Sequence, residues 1–199
     1  MVYCRSALHL PVFPSQLSTY SSLAGALTIE LSPRFLNPRR QRVPQQKCKA
    51  PPGQGPLFPP ILFDHLASRG QGVPIYNFIV LSTSTLEREV SGAHDEVLAD
   101  LTSRVMTIRV MWQGYERLNW SRSIPVSSSL SRAQLGASIA MQLWSFIEDV
   151  HNTHSDTIRP EYNLASGKIK FEDIILLGLY NIYNDIWQID LAVDIPFAS

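Results

Sequence analysis

The sequence predicts an α+β fold in which an antiparallel sheet of about five strands packs against one main helix. Two segments that alternate apolar and polar residues around short turns predict two hairpins. Between these two segments, apolar residues recur at the spacing of an α-helix, which predicts the main helix. Because 10 of the 14 prolines lie in the first 60 residues, we expect a largely disordered leader over residues 1–60 and a single α+β domain over 61–199.

The chain is neutral overall, with 17 basic and 17 acidic side chains among 199 residues, but its charge is unevenly distributed. Residues 1–63 carry seven basic side chains and one acidic one, whereas residues 64–199 carry 10 basic and 16 acidic ones. A basic arm is therefore joined to an acidic core. The composition excludes a collagen, a coiled coil, a disulfide-rich toxin and a wholly disordered chain.

The leader has two further interpretations. Its basic, acid-poor composition is typical of an organelle transit peptide, although Pro11 and Pro14 interrupt any amphipathic helix. Alternatively, Arg39, Arg40 and Arg42 contact a partner or the phosphates of a nucleic acid. Both cysteines, Cys4 and Cys48, lie in the leader, and no stretch of 18 apolar residues predicts a transmembrane segment. We expect an intracellular, cytoplasmic protein.

The core begins with the β-rich run Val73–Leu81, which Pro74 places at a strand start or at an edge. An exposed edge strand here would allow a homodimer. A capping box at Ser84 and Glu87 then predicts a helix start. Gly92 interrupts the pattern, so the alternatives are one weak helix or a loop followed by a short helix over residues 93–103.

The first hairpin is predicted by alternation over Val105–Trp112 and again from Leu118 to Ile124, with a loop near Gln113–Arg117. Pro125 halts the second strand. The main helix follows, from Arg132 to Val150. It begins at a capping box, Ser131 with Gln134, and its buried stripe is Leu135, Ile139, Leu143, Phe146 and Val150.

The second hairpin joins Ile174–Tyr183 to Ile186–Ile195 through a two-residue turn at Asn184 and Asp185. Its first arm is apolar on both faces, which is typical of a central strand. A helix from Phe171 to Asn181 is the alternative for that arm.

Candidates for metal or acid–base chemistry are incomplete. His151 and His154 lie three residues apart at the end of the helix, but the third position on that face is Ile147. Asp190 and Asp194 lie on one strand face about 13 Å apart, too far for a pair of glycosidase carboxylates at about 5–9.5 Å. We therefore predict no metal site, no cofactor and no catalytic residue, and expect these aspartates on a solvated face.

Three aromatic residues near the first hairpin loop, Trp112, Tyr115 and Trp120, are candidates for a ligand surface. Aromatic rings at a loop mouth stack on sugars, bases or Pro-rich peptides. The alternative places the two tryptophans in the core or between strands.

The sequence therefore predicts a non-enzymatic interaction module with a basic arm on an acidic core. The arm would bind a protein partner or dock on the acidic surface of its own or another core. One alternative is a hydrolase-like enzyme whose site is assembled from scattered residues: His94, Asp95, His151 and His154. Another is nucleic-acid binding through the arm.

Overall fold

The computed structural model describes residues 35–152 and 162–195, which form an α+β fold. The helices are α1 (Asn77–Val80), α2 (Thr83–Glu89) and α3 (Arg132–His151). The strands are β1 (Arg40–Arg42), β2 (Ile61–Leu62), β3 (Val73–Pro74), β4 (Val105–Arg109), β5 (Ser121–Pro125), β6 (Ile174–Tyr183) and β7 (Ile186–Asp194). Short 3-10 turns lie at Glu116–Leu118, Leu164–Ser166 and Phe171–Asp173.

The seven strands form one mixed sheet rather than the antiparallel sheet that the sequence predicts. Its main order is β2-β6-β7-β4-β5, with β3 also paired to β6 and β1 also paired to β7. The pair β4–β7 is parallel, and every other pair among the described residues is antiparallel. A hairpin must be antiparallel because its connection is short, but β4 and β7 are distant in sequence, so no local signal sets their direction.

Both hairpins are confirmed, but the first has shorter strands than predicted. Its β4 ends at Arg109, its β5 begins at Ser121, and Pro125 is the last residue of β5 rather than the residue that follows it. Strands β6 and β7 meet at the two-residue turn, where Asn184 takes a φ of 43° in the left-handed region. The alternative helix from Phe171 to Asn181 does not form, because β6 is a central strand between β7 on one side and β2 with β3 on the other. Strands β4 and β5 pair with Met106 opposite Ile124.

The main helix is confirmed to within one residue at its C-terminal end. Its capping box is present, since the Ser131 hydroxyl accepts the Gln134 amide N–H and the Gln134 side chain accepts the Ser131 N–H. The stripe from Leu135 to Val150 lies in the hydrophobic core with the apolar side chains of the sheet, and each of its five predicted members is fully buried. Burial of this stripe is the main stabilisation of the helix.

Residues 73–81, which precede the first hairpin, do not form the strand that the sequence predicts. The run Val73–Leu81 is a strand only as far as Pro74, and residues 77–80 form α1. There Phe78 packs on Gly136 of α3, which has no Cβ to exclude the ring. Only two residues of the run are therefore a strand, β3, whose one strand partner among the described residues is β6. The homodimer through this edge stays a prediction.

The helices predicted between this run and the first hairpin also differ from those observed. Helix α2 begins at Thr83, because the Ser82 side chain, rather than that of Ser84, accepts the N–H of Thr85 at the N-cap. The short helix over residues 93–103 does not form. Gly92 has a φ of 62°, and the chain continues in turns that contact the N-terminal end of α3, where Ala133 N–H donates to Ala93 O.

Residues 35–60, which the sequence assigns to a largely disordered leader, belong to the same compact unit as the core. Strand β1 lies in this segment, and Val43 is 2% exposed. The earlier part of the predicted leader lies outside the described residues. Among the described helices, none has both the length and the apolar character needed to cross a membrane.

Candidate interaction surfaces

The three hairpin aromatics lie in the core. Trp112, Tyr115 and Trp120 are 0%, 2% and 4% exposed, and their rings surround Phe146 of α3 at centroid distances of 6.4, 6.5 and 5.5 Å. This arrangement matches the alternative in which the two tryptophans are core residues.

The polar atoms of these rings all have partners within the fold. Trp112 Nε1 donates to the Tyr162 carbonyl at 2.8 Å, and the Tyr115 hydroxyl donates to Asn163 Oδ1 at 3.0 Å. Trp120 Nε1 donates to Asp149 Oδ2 at 3.0 Å. The hairpin loop is thereby held to α3 and to the residues after Tyr162.

A polar cleft of about 440 Å³ opens beside Trp120. Its walls include Arg122 and Asp149, which form an ion pair at 2.9 Å, and the Arg122 guanidinium lies 5.0 Å from the Trp120 ring centroid. The cation and the carboxylate in this cleft therefore neutralise each other.

Two of the three predicted arm contacts bind the core of their own chain. Arg40 makes a two-point ion pair with Asp194, from Nε at 2.8 Å and from Nη2 at 2.9 Å. Arg42 pairs with Asp190 through Nε at 2.9 Å and through Nη2. The hydrogen bond to Asp190 raises the pKa of Arg42 above its usual value, against the opposing effect of burial. The third, Arg39, lies just before β1, and its N–H donates to Asn37 Oδ1.

These contacts give a role to the two aspartates of β7. Both were expected on a solvated face, but their side chains are only 12% and 20% exposed in their pairs with Arg42 and Arg40. The opposite net charges of the two parts of the sequence are the signal that points to this docking.

After β1 the chain continues as a proline-rich strap, which we define as residues 44–58. Three buried amide side chains hold this strap and the residues just before β1. Gln71 accepts the N–H of Leu36 at 2.7 Å, Gln188 that of Cys48 at 2.9 Å and Asn181 that of Leu57 at 2.7 Å. They replace the sheet ladder that proline excludes.

The strap passes around the end of the second hairpin. Gln188 and Trp187 point to opposite faces of β7, because successive side chains alternate along a strand. The strap contacts Gln188 at Cys48 and then stacks Phe58 on Trp187, with ring centroids 5.9 Å apart. Burial raises the pKa of the Cys48 thiol.

The residues considered for an assembled enzyme site have separate partners. His151 Nδ1 contacts the Ile147 carbonyl at 2.8 Å, His94 lies 3.7 Å from Glu87, and Asp95 pairs with Arg132 at 3.1 Å. His154 lies outside the described residues. In the part of the chain that the structure describes, no three His, Cys, Asp or Glu side chains are grouped to hold a metal ion.

A group of exposed aromatic and thioether side chains next to the buried Phe171 was missed by the sequence analysis. We call Tyr76, Met141, Trp144 and Phe171 the aromatic surface. The rings of Tyr76 and Trp144 both contact Phe171 edge-on, at centroid distances of 6.5 and 5.1 Å. Tyr76 is 38%, Trp144 47% and Met141 61% exposed. Met141 is the neighbour of Trp144 on α3 at a spacing of three residues.

Carboxylates lie beside the aromatic surface. Glu148 accepts a hydrogen bond from Trp144 Nε1 at 2.8 Å. In sequence, Phe171 stands between Lys170 and Glu172, which are both exposed. The surface therefore combines large apolar rings with negative charge. Its members come from the residue before α1, from α3 and from the 3-10 turn before β6, so no sequence period connects them.

The chain matches no family model, no curated protein and no solved structure. The candidate surfaces therefore rest on their own geometry.

Proposed function

We propose that the protein is a non-catalytic interaction module that binds another protein through the aromatic surface. The observation that carries this proposal is the exposure of Trp144 and Tyr76, whose rings each pack edge-on against the buried Phe171. Exposed aromatic rings that share a rigid, buried base resemble the residues that supply most of the binding energy at protein interfaces. Exposed apolar side chains that are rimmed by polar residues are a feature of protein–protein interaction sites.

The charge beside the rings indicates the partner's chemistry. Glu148 and Glu172 outweigh Lys170 and give the rim a net negative charge, so the complementary segment presents an apolar side chain next to a lysine or an arginine. The apolar side chain would cover Trp144 and Met141, and the cation would approach the rim carboxylates.

The two alternative functions draw less support from the geometry. The histidines and the aspartate considered for an enzyme lie with separate partners, as described above. Arg40 and Arg42 already neutralise aspartates of the core, so phosphates would have to compete with those ion pairs. Both alternatives remain hypotheses.

Selection of random displayed peptides on the immobilised full chain tests the proposal. We expect the recovered peptides to be enriched in an apolar residue beside Lys or Arg. We further expect Trp144→Ala to weaken their binding about thirtyfold or more, since truncation of an aromatic hot-spot residue costs about 2 kcal/mol or more. Isothermal titration of a recovered peptide measures the change.

Val105→Ala is the matched control. Val105 is 44% exposed on β4, and we expect its truncation to leave peptide affinity unchanged. Circular dichroism would first establish that both variants are folded. Equal binding by Trp144→Ala and the unaltered chain, or failure to recover any peptide, would refute the proposed function.

A further inference from the structure

Strand β1 is a short, charge-specific attachment to the edge of β7. Its three residues pair with residues 192–194, and two flanking backbone hydrogen bonds extend the contact. Val43 N–H donates to the Leu191 carbonyl at 2.9 Å, and Ile195 N–H donates to the Arg39 carbonyl at 3.0 Å. The edge of β7 thus receives an extended segment in the manner of strand addition.

The charges of its side chains make this segment complementary to the edge of β7. Arg40 and Arg42 are two residues apart in a strand and therefore project to the same face. They reach two aspartates of β7 on that face, Asp194 and Asp190. Gln188, farther along β7 on the same face, receives Cys48. Residues 36–48 are thus bound as one unit by the backbone, two ion pairs and the amides of Gln71 and Gln188.

A connection with few contacts follows this unit. Lys49 and residues 51–53 are exposed, and Gly53 has a φ of 80° with no atom within 4 Å of the position that a Cβ would take. The chain contacts its own hairpin again from Gln54 and Leu57 onward. The Gln54 N–H donates to the Pro51 carbonyl at 3.0 Å and closes a turn within the connection. At about 3.3–3.6 Å per residue, residues 49–53 span roughly 17 Å once this turn opens.

We propose that residues 36–48 exchange between two copies of this chain, so that Arg40 and Arg42 of one copy pair with Asp194 and Asp190 of the other. Reciprocal exchange remakes each described contact of the segment and closes a two-fold dimer, so it requires no new interface chemistry. The second copy is the favoured occupant because its segment is the one already seen to fit the site. The exchange is independent of the aromatic surface.

Exchange competes with docking in the same chain. A short connection gives the chain's own segment an effective concentration in the millimolar range, so the unaltered protein is mainly a monomer at micromolar concentration and exchanges as its own concentration approaches that range. A test must therefore remove docking within one chain and keep docking between chains.

Two charge-reversed full-length variants meet this requirement. One carries Arg40→Glu and Arg42→Glu, and the other carries Asp190→Arg and Asp194→Arg. In each variant the segment and β7 repel, both within one chain and between two copies of that variant. In an equimolar mixture the segment of each variant is complementary to β7 of the other variant. Sedimentation velocity is expected to show monomers for each variant alone and a species of twice the mass for the mixture.

The controls separate exchange from other effects. A chain with all four substitutions regains docking within one molecule, so we expect it to be monomeric and to melt at a higher temperature than either double variant. The first variant mixed with the unaltered chain should stay monomeric, because its acidic segment meets the aspartates of both copies.

If a double variant does not fold, Arg42→Glu and Asp190→Arg provide the same test with one pair. A monomeric mixture of folded partners overturns the proposal.

Discussion

Gly136 decides how closely two helices approach each other. It lies inside α3, and a Cβ built there would overlap the ring of Phe78 from α1. Phe78 in turn meets Phe63 edge-on with ring centroids 5.7 Å apart, so the ring has neighbours on both sides. A glycine in a helix interior usually weakens the helix, but here its missing side chain allows α1 to pack.

Gly136→Ala is therefore expected to destabilise the protein. The substitution gains about 1 kcal/mol of helix propensity, but overpacking against the buried Phe78 ring costs about 1–3 kcal/mol. The expected result is a lower urea midpoint with an unchanged slope. Gly55→Ala is the control, because a Cβ at Gly55 meets nothing within 4 Å. A midpoint equal to or above that of the unaltered chain would show that Phe78 repacks without cost.

The strap is an irregular element held by side chains instead of a ladder. Gln188 accepts the Cys48 N–H at 2.9 Å and donates to the Gln46 carbonyl at 3.1 Å, and it is 7% exposed. A buried amide with two backbone partners replaces two hydrogen bonds that a neighbouring strand would otherwise supply.

Gln188→Leu is expected to lower the free energy of unfolding by about 1–3 kcal/mol, because it leaves two strap groups without partners. Amide hydrogen exchange should be faster at Cys48 in particular. Gln54→Leu is the matched control at an exposed strap position, and its expected effect is within about 0.5 kcal/mol. Unchanged exchange at Cys48 would mean that the Gln188 side chain does not protect this N–H.

In the molecule as a whole, the basic and acidic parts of the sequence neutralise each other at β7. Asp190 and Asp194 pair with Arg42 and Arg40, and Phe58 of the strap covers Trp187. Residues 35–60 therefore contribute to the core and to its charge balance, whereas the sequence alone suggests that removal of residues 1–60 leaves the melting temperature nearly intact.

A chain that starts at Ile61 is now expected to melt about 10 °C below one that starts at Phe35. The shorter chain leaves like charges unpaired on β7 and exposes Trp187, and a loss of about 3 kcal/mol corresponds to roughly this shift at this size. Differential scanning calorimetry of the two chains measures it. Equal melting temperatures would restore the view that the whole leader is dispensable for folding.

The amino-acid sequence by itself determined the elements whose signals are local. The capping box at Ser131 with its periodic apolar stripe predicts α3, and alternation around Asn184 predicts the second hairpin to within one residue. These signals act over a few residues, so the unfolded chain already contains them.

Only the tertiary structure decided the contacts between residues that are far apart in sequence. The parallel pairing of β4 with β7, the docking of Arg40 and Arg42, and the aromatic surface each join segments far apart in sequence. Residues 35–60 looked irregular because prolines remove the ladder pattern, yet their N–H groups find side-chain amides on other elements. No local period encodes such contacts, because packing and charge pairing choose partners by proximity in space.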